Sequence, residues 1–144
     1  MIAVDTNILV HAHRRDSRWH APAAATVRRL AEGTEPWAIP WPCIHEYYSI
    51  TTHPRLYAPP SSPGQALAQL RAWRASPTLT LLAEDVDYWP VFDELVDSAH
   101  VRGGAIHDLR IAALCLRHGV SLLYTADRDF SRFARLATEN PLVS

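Results

Sequence analysis

Short apolar runs alternate with helical periodicities along this chain, and the alternation predicts its elements. Residues 2–4 (Ile-Ala-Val) read as a buried strand that ends at Asp5 and runs into a polar loop. Pro22 suits the first turn of a helix over about 21–32, and Gly33 suits the position just past its end. Trp37-Ala38-Ile39 is a second strand, and Pro42 opens a helix carrying Glu46, Tyr47 and Ile50 that stops near His53-Pro54. The proline-rich stretch 54–63 is an irregular loop, after which Ser62-Pro63 forms an N-cap and first-turn pair for a helix to about Ala75. Thr78–Leu82 has a strand pattern, and a helix covers about 86–101 with Pro90 in its first turn. Ala105–His118 has the clearest period, with Ile106, Leu109, Ala113 and Leu116 on one face and Gly119 as its stop. Ser121–Tyr124 is the final strand, followed by the acidic turn Thr125-Ala-Asp-Arg-Asp129.

Strands separated by helices of 10–15 residues imply right-handed βαβ units and a mainly parallel sheet. The expected fold class is therefore α/β. With 144 residues, no repeat and no linker-like tract, the expected organisation is a single domain over 1–144.

Composition narrows the chemistry. No apolar run approaches the roughly 18 residues of a membrane span, and the first residues place their charges after the apolar stretch, the wrong order for a secretory signal. The expectation is a cytoplasmic protein without membrane association. Cys43 and Cys115 have no C-x-x-C spacing and read as half-buried core thiols. All 14 basic residues are Arg. The absence of Lys excludes a P-loop, Schiff-base chemistry and the Asp-plus-Lys site of a response-regulator receiver. A net charge of -1 gives no global attraction for a polyanion, so any nucleic-acid binding needs a local basic face.

Four acids map to one edge of the predicted sheet. Asp5 ends the first strand, Asp127 follows the last, Asp108 lies in the first turn of its helix, and Glu46 lies early in the helix after the second strand. In open parallel sheets, functional groups gather beyond the carboxyl ends of the strands. Each acid also has a structural explanation: an Asx turn for Asp5, the helix dipole for Asp108, an N-cap for Asp127, a solvated helix face for Glu46. Converging carboxylates raise one another's pKa unless a cation neutralises them. Oxygen-only ligands suit Mg²⁺ or Mn²⁺, which can lower the pKa of a water and stabilise the leaving oxygen of a phosphodiester. Asp5, Asp108 and Asp127 are the candidate metal ligands. Asn7 and Thr125 either orient them or simply satisfy turn hydrogen bonds.

These motifs resemble those of a known family. Val4-Asp-Thr-Asn-Ile-Leu9, Ile44-His-Glu-Tyr-Tyr48, His107-Asp-Leu-Arg-Ile-Ala-Ala113 and Leu123-Tyr-Thr-Ala-Asp-Arg-Asp-Phe130, with Glu139-Asn-Pro-Leu142 at the end, are similar to the blocks of PIN domains. Within that superfamily the chain resembles the VapC-type toxins of bacterial toxin–antitoxin pairs. The resemblance implies a three-layer α/β/α sandwich, Mg²⁺-dependent cleavage of RNA, a homodimer and a cognate antitoxin. It matches Asp5, Glu46, Asp108 and Asp127 to the family's acidic positions, Asp5 and Asp108 being those most directly tied to the metal. Asp129 belongs either to the site or only to the turn, and the turn is preferred. Arg110 is bulkier than the small residue expected there.

Arg14, Arg15 and Arg18 lie close in sequence to Asp5 and are candidate phosphate contacts, as are His107 and Arg110. Trp37, Trp73 and Trp89 read as core or dimer anchors. A haloacid-dehalogenase phosphatase also begins with a strand-end Asp but needs a second Asp two residues later, where this chain has Asn7. The remaining alternatives are a housekeeping RNA-processing nuclease and a non-enzymatic binding module.

Overall fold

In the computed structural model, which describes residues 1–143, the apolar runs become strands of one parallel sheet. The strands are β1 (Ile2–Val4), β2 (Trp37–Pro40), β3 (Leu79–Leu82), β4 (Leu122–Tyr124) and β5 (Thr138–Glu139), in the order β3-β2-β1-β4-β5. Every neighbour pair is parallel. β2 is buried at all four positions, and β1 and β4 are buried at their last two. Strands covered on both faces cannot alternate, which explains their unbroken apolar composition. The edge strands β3 and β5 are more exposed.

Six α-helices connect the strands: α1 (Thr6–His13), α2 (His20–Glu32), α3 (Trp41–Thr51), α4 (Pro63–Arg74), α5 (Tyr88–Ala99) and α6 (Ile106–Arg117). The right-handed crossover rule places α1–α4, which lead from β1 through β2 to β3, on one face of the sheet. The return from β3 across to β4 carries α5 and α6 over the other. Contacts agree: α1 packs on α2 and α3, α3 on α4, and α5 on α6. The result is the α/β class expected from the sequence, in the α/β/α sandwich that the resemblance implies.

Local signals account for several boundaries. At α4 the Ser62 side chain accepts from the Gln65 amide at 3.1 Å, and the Gln65 side chain accepts from the Ser62 amide at 2.8 Å. This reciprocal capping box satisfies two amides that the first turn leaves free. Gly119 has φ +72°, a conformation where a Cβ would cost about 1 kcal/mol, and there α6 ends.

Two expectations change. The polar loop expected after Asp5 is helix α1, and the chain gains β5 at the sheet edge. In α1 Thr6, Ile8, Leu9, Val10 and Ala12 are all buried. A short helix packed on nearly every side shows no 3.6-residue alternation, so its pattern is invisible to a periodicity reading. β5 has two residues, both exposed, and exists because Leu123 and Thr125 donate amides to Ala137 and Glu139. Both thiols are deeper than expected: Cys43 and Cys115 are fully buried and unpaired.

Candidate active site

Register builds the site. β1 and β4 pair with Val4 opposite Tyr124, so the next residues, Asp5 and Thr125, emerge side by side at the carboxyl edge. The ladder continues there through the Asp5 amide, which donates to the Tyr124 carbonyl at 2.9 Å. From this point β1 feeds α1 on one face, while β4 is entered from α6 on the other. That is a topological switch point, where open α/β sheets leave a crevice.

Asp5 is almost fully buried and receives four donors. Its Oδ1 accepts from the Thr6 amide at 2.7 Å and from the Cys43 thiol at 3.6 Å. Its Oδ2 accepts from Thr125 Oγ1 at 2.7 Å and from Asn7 Nδ2 at 3.2 Å. The network extends outward, because Asn7 Nδ2 also reaches Thr125 Oγ1 at 3.3 Å and Asn7 Oδ1 accepts from the Ala126 amide at 3.1 Å. Thr125 Oγ1 in turn accepts from the Asp127 amide at 3.0 Å. Asn7 and Thr125 therefore both orient the carboxylate and satisfy turn amides.

Asp127 caps the 3₁₀ turn Arg128–Arg132, its Oδ1 accepting from the Asp129 amide at 2.9 Å. Asp108 stands in the first turn of α6. Carboxylate oxygens of Asp108, Asp127 and Asp129 all lie within 4.8 Å of one another. Asp129, for which the sequence favoured a turn role, does both: its amide closes the turn and its carboxylate joins the cluster. Asp5 stands behind the three, adding its charge. Glu46 approaches from α3, where Thr6 Oγ1 donates to its Oε2 at 3.4 Å.

The electrostatics follow from this crowding. Burial pushes the Asp5 carboxyl above its usual range, and the charge of Asp127 adds to the push while its hydrogen bonds oppose it. Burial and the charges of Asp5 and Asp108 raise Glu46. Burial, then Asp127, Asp5 and Asp129, raise Asp108. Such a set is short of positive charge.

The donors are hard carboxylate oxygens, and the burial that raises the pKa of the adjacent Cys43 keeps it a neutral thiol, not a thiolate ligand. This chemistry fits an oxygen-seeking divalent ion. Asp108, Asp127 and Asp129 are the residues whose separation allows them to share one, with Asp5 and Glu46 adjoining.

The other candidate contacts divide. His107 and Arg110 are exposed on α6, and the charges of both act at Glu46 or are acted on by it. Arg110 is tied to Glu84 by an ion pair. Arg14, Arg15 and Arg18 lie at or beyond the other end of α1, eight residues or about 12 Å away along its axis. Nearness in sequence to Asp5 does not bring them to the acids. The sequence reading passed over three participants: Thr6, Cys43 and Arg132. Thr6 was legible as the residue after Asp5. Cys43 was not, because only the docking of α3 brings it to Asp5.

An acid cluster at the switch point of a parallel sheet marks the class of α/β proteins that bind a ligand at this edge, and comparison with known proteins identifies the family. The PIN domain family model matches residues 2–136. The chain is 34% identical over 142 residues to ribonuclease VapC43 of Mycobacterium tuberculosis, covering 99% of this chain and 96% of that protein. It is 30% identical over 137 residues to ribonuclease VapC48 of the same species, covering 95% and 94%. In fold it is similar to VapBC2 from Rickettsia felis, solved bound to a promoter DNA fragment, with a TM-score of 0.69 at 21% identity over 97% of this chain and 98% of that one. The chain belongs to the PIN-domain family, among its VapC ribonucleases.

Proposed function

We infer that this chain is a metal-dependent endoribonuclease acting as the toxin of a toxin–antitoxin pair. One observation carries the reading: the acids cluster at the β1–β4 switch point in a chain that aligns end to end with VapC ribonucleases. Asp108, Asp127 and Asp129 would hold Mg²⁺ or Mn²⁺, with Asp5 contributing its charge. When bound, such an ion makes water a stronger nucleophile and stabilises charge on the leaving oxygen.

The chain's own residues supply the rest. Thr125, Asn7, Thr6 and Cys43 fix the Asp5 carboxylate in one orientation, so no reorganisation is needed when substrate arrives. Glu46 is half-buried, and one of its oxygens already accepts from Thr6. The other oxygen would take the proton released as water attacks phosphorus. The P–O bond to the departing nucleotide breaks in the same displacement. His107 and Arg110 flank Glu46 on the solvent side, where the RNA strand would enter.

The partners in this reading are a cognate antitoxin and a second copy of the chain. For the dimer, apolar groups are exposed at the start of α5: Trp89, 66% exposed with its ring 5.6 Å from that of Phe92, and Val86, two residues before the helix, at 91% exposure. Among the described residues no helix is long and apolar enough to cross a membrane.

The test is cleavage of labelled RNA by the purified chain with Mg²⁺, with Mn²⁺ and with EDTA, beside growth of cells expressing it with and without its antitoxin. Cleavage that needs the ion and growth arrest relieved by the antitoxin are expected. Ion-dependent cleavage with normal growth at high levels of folded protein would make it a housekeeping nuclease. No cleavage with either ion would end the reading.

A further inference from the structure

The acid cluster repels the substrate it is read to cut. Asp108, Asp127 and Asp129, with Asp5 and Glu46 adjoining, bring more negative charge than one divalent ion offsets, and the net charge of -1 offers no compensating field to an approaching RNA strand. Beyond the ion the acids are read to hold, further attraction can come only from a cation at the rim. Arg14, Arg15 and Arg18 stand at the wrong end of α1, and Arg110 is paired with Glu84.

Arg132 differs from all of these. It closes the 3₁₀ turn that Asp127 caps. That geometry has three residues per turn, so side chains at i and i+3 eclipse. Arg132 therefore stands on the same face as Asp129, one turn further on, a rise of about 6 Å. Its positive charge acts on Asp108, opposing the three neighbouring acids. It is nevertheless exposed and forms no ion pair among the described residues. Arg128, in the same turn, falls in line with Ser131 instead. A guanidinium that stands near a carboxylate cluster without pairing with it is free to take a phosphate in two parallel hydrogen bonds.

We propose that Arg132 receives a backbone phosphate of the RNA and sets the strand against the acid cluster. The inference rests on the ribonuclease reading above. It concerns binding more than chemistry, so the two can be separated.

The experiment is steady-state cleavage of a short single-stranded RNA over a range of salt concentrations by the parent, R132Q, R132K and R18Q, with melting curves for each. R132Q should raise KM about five- to tenfold with kcat within about threefold. It should also make the fall of log(kcat/KM) with log[salt] shallower by about one, the loss of one phosphate contact. R132K should keep the parent's salt slope, and R18Q should match the parent throughout. On the parent itself, the Arg132 Nε–H resonance should move when a hexanucleotide RNA is added in EDTA, whereas that of Arg18 should not. This readout stands even if R132Q does not fold. R132Q with the parent's KM and slope, or an unmoved Arg132 resonance, overturns the proposal. A parent that cuts no RNA at all condemns the ribonuclease reading instead.

Discussion

The two ends of helix α1 carry two polar clusters, and they differ in how their charge is balanced. At its start lie Asp5, Glu46, Asp108, Asp127 and Asp129, with Arg132 at the rim. At its end Arg14 chelates Asp16 through contacts of 2.9 and 2.6 Å, stacks on the Tyr57 ring at 4.1 Å and donates to the Pro59 carbonyl at 3.0 Å. Buried Ser61 joins this group, meeting His13 Nε2 at 2.9 Å and Arg14 Nη1 at 3.2 Å, while His13 Nδ1 faces Gln69 at 3.3 Å. A cleft of about 770 Å³ opens beside these residues. Arg14 and Asp16 pair there, and Arg14 holds the Asp16 carboxyl below its ordinary range, while Arg15 beside the cleft and Arg18 form no ion pair among the described residues. At the other end burial and mutual repulsion push three carboxyls up. The paired Arg14 ties its loop down, whereas carboxyls raised by burial and by one another mark a place for a cation.

The sharpest way to break this contrast is Asp108→Asn. It should lower RNA cleavage by at least about a hundredfold, since even residues that only orient metal ligands are worth 10–100-fold. The melting temperature without metal should hold or rise, because one repelling charge is gone. Cleavage at the parent's rate by a folded D108N protein would remove Asp108 from the site.

The pH dependence of stability tests the imbalance directly. Asp5, Glu46 and Asp108 have folded-state pKa values raised above their ordinary ones, so the folded protein binds more protons than the unfolded chain. Stability from these groups is present below pH ~4 and is lost as pH rises through the raised values. The lowered groups Asp16, Glu84 and Asp85 act in the opposite sense, but they lie at the surface, where water screens them. Metal-free protein should therefore lose stability as pH rises above about 4. Mg²⁺ or Mn²⁺ at a hundred times its Kd should add about 2.7 kcal/mol, chiefly at neutral pH. Melting curves with ion and with EDTA at several pH values check this, and an ion effect that is equal at pH 4 and pH 7 would contradict it.

The smallest effect belongs to the Arg14 end. Ser61→Ala removes a buried partner of both His13 and Arg14 and should cost about 1–3 kcal/mol of stability. Denaturant unfolding measures that cost, and kcat/KM for RNA should stay within about twofold of the parent. A large catalytic loss with little change in stability would place function at this end after all.

Sequence alone determined the α/β class and the approximate bounds of most elements, because buried parallel strands, proline-opened helices and a Ser62 cap are local signals. It also marked Asp5, Glu46, Asp108 and Asp127 as acids bound for one edge, since strand ends in a parallel sheet share a direction. What it could not carry is anything that depends on which surfaces meet. Helix α1 is buried on nearly every side and so has no period to read. β5 is two exposed residues held by main-chain bonds alone. Arg14 sits nine residues from Asp5 yet at the other end of a rigid rod, while Asp129 and Arg132 share a face only once the turn is known to be 3₁₀. Cys43 meets Asp5 because α3 docks on the β1–α1 junction, 38 residues away in sequence. Side-chain identity is local and readable. Distance between residues remote in sequence is set by packing, and there the tertiary structure alone decides.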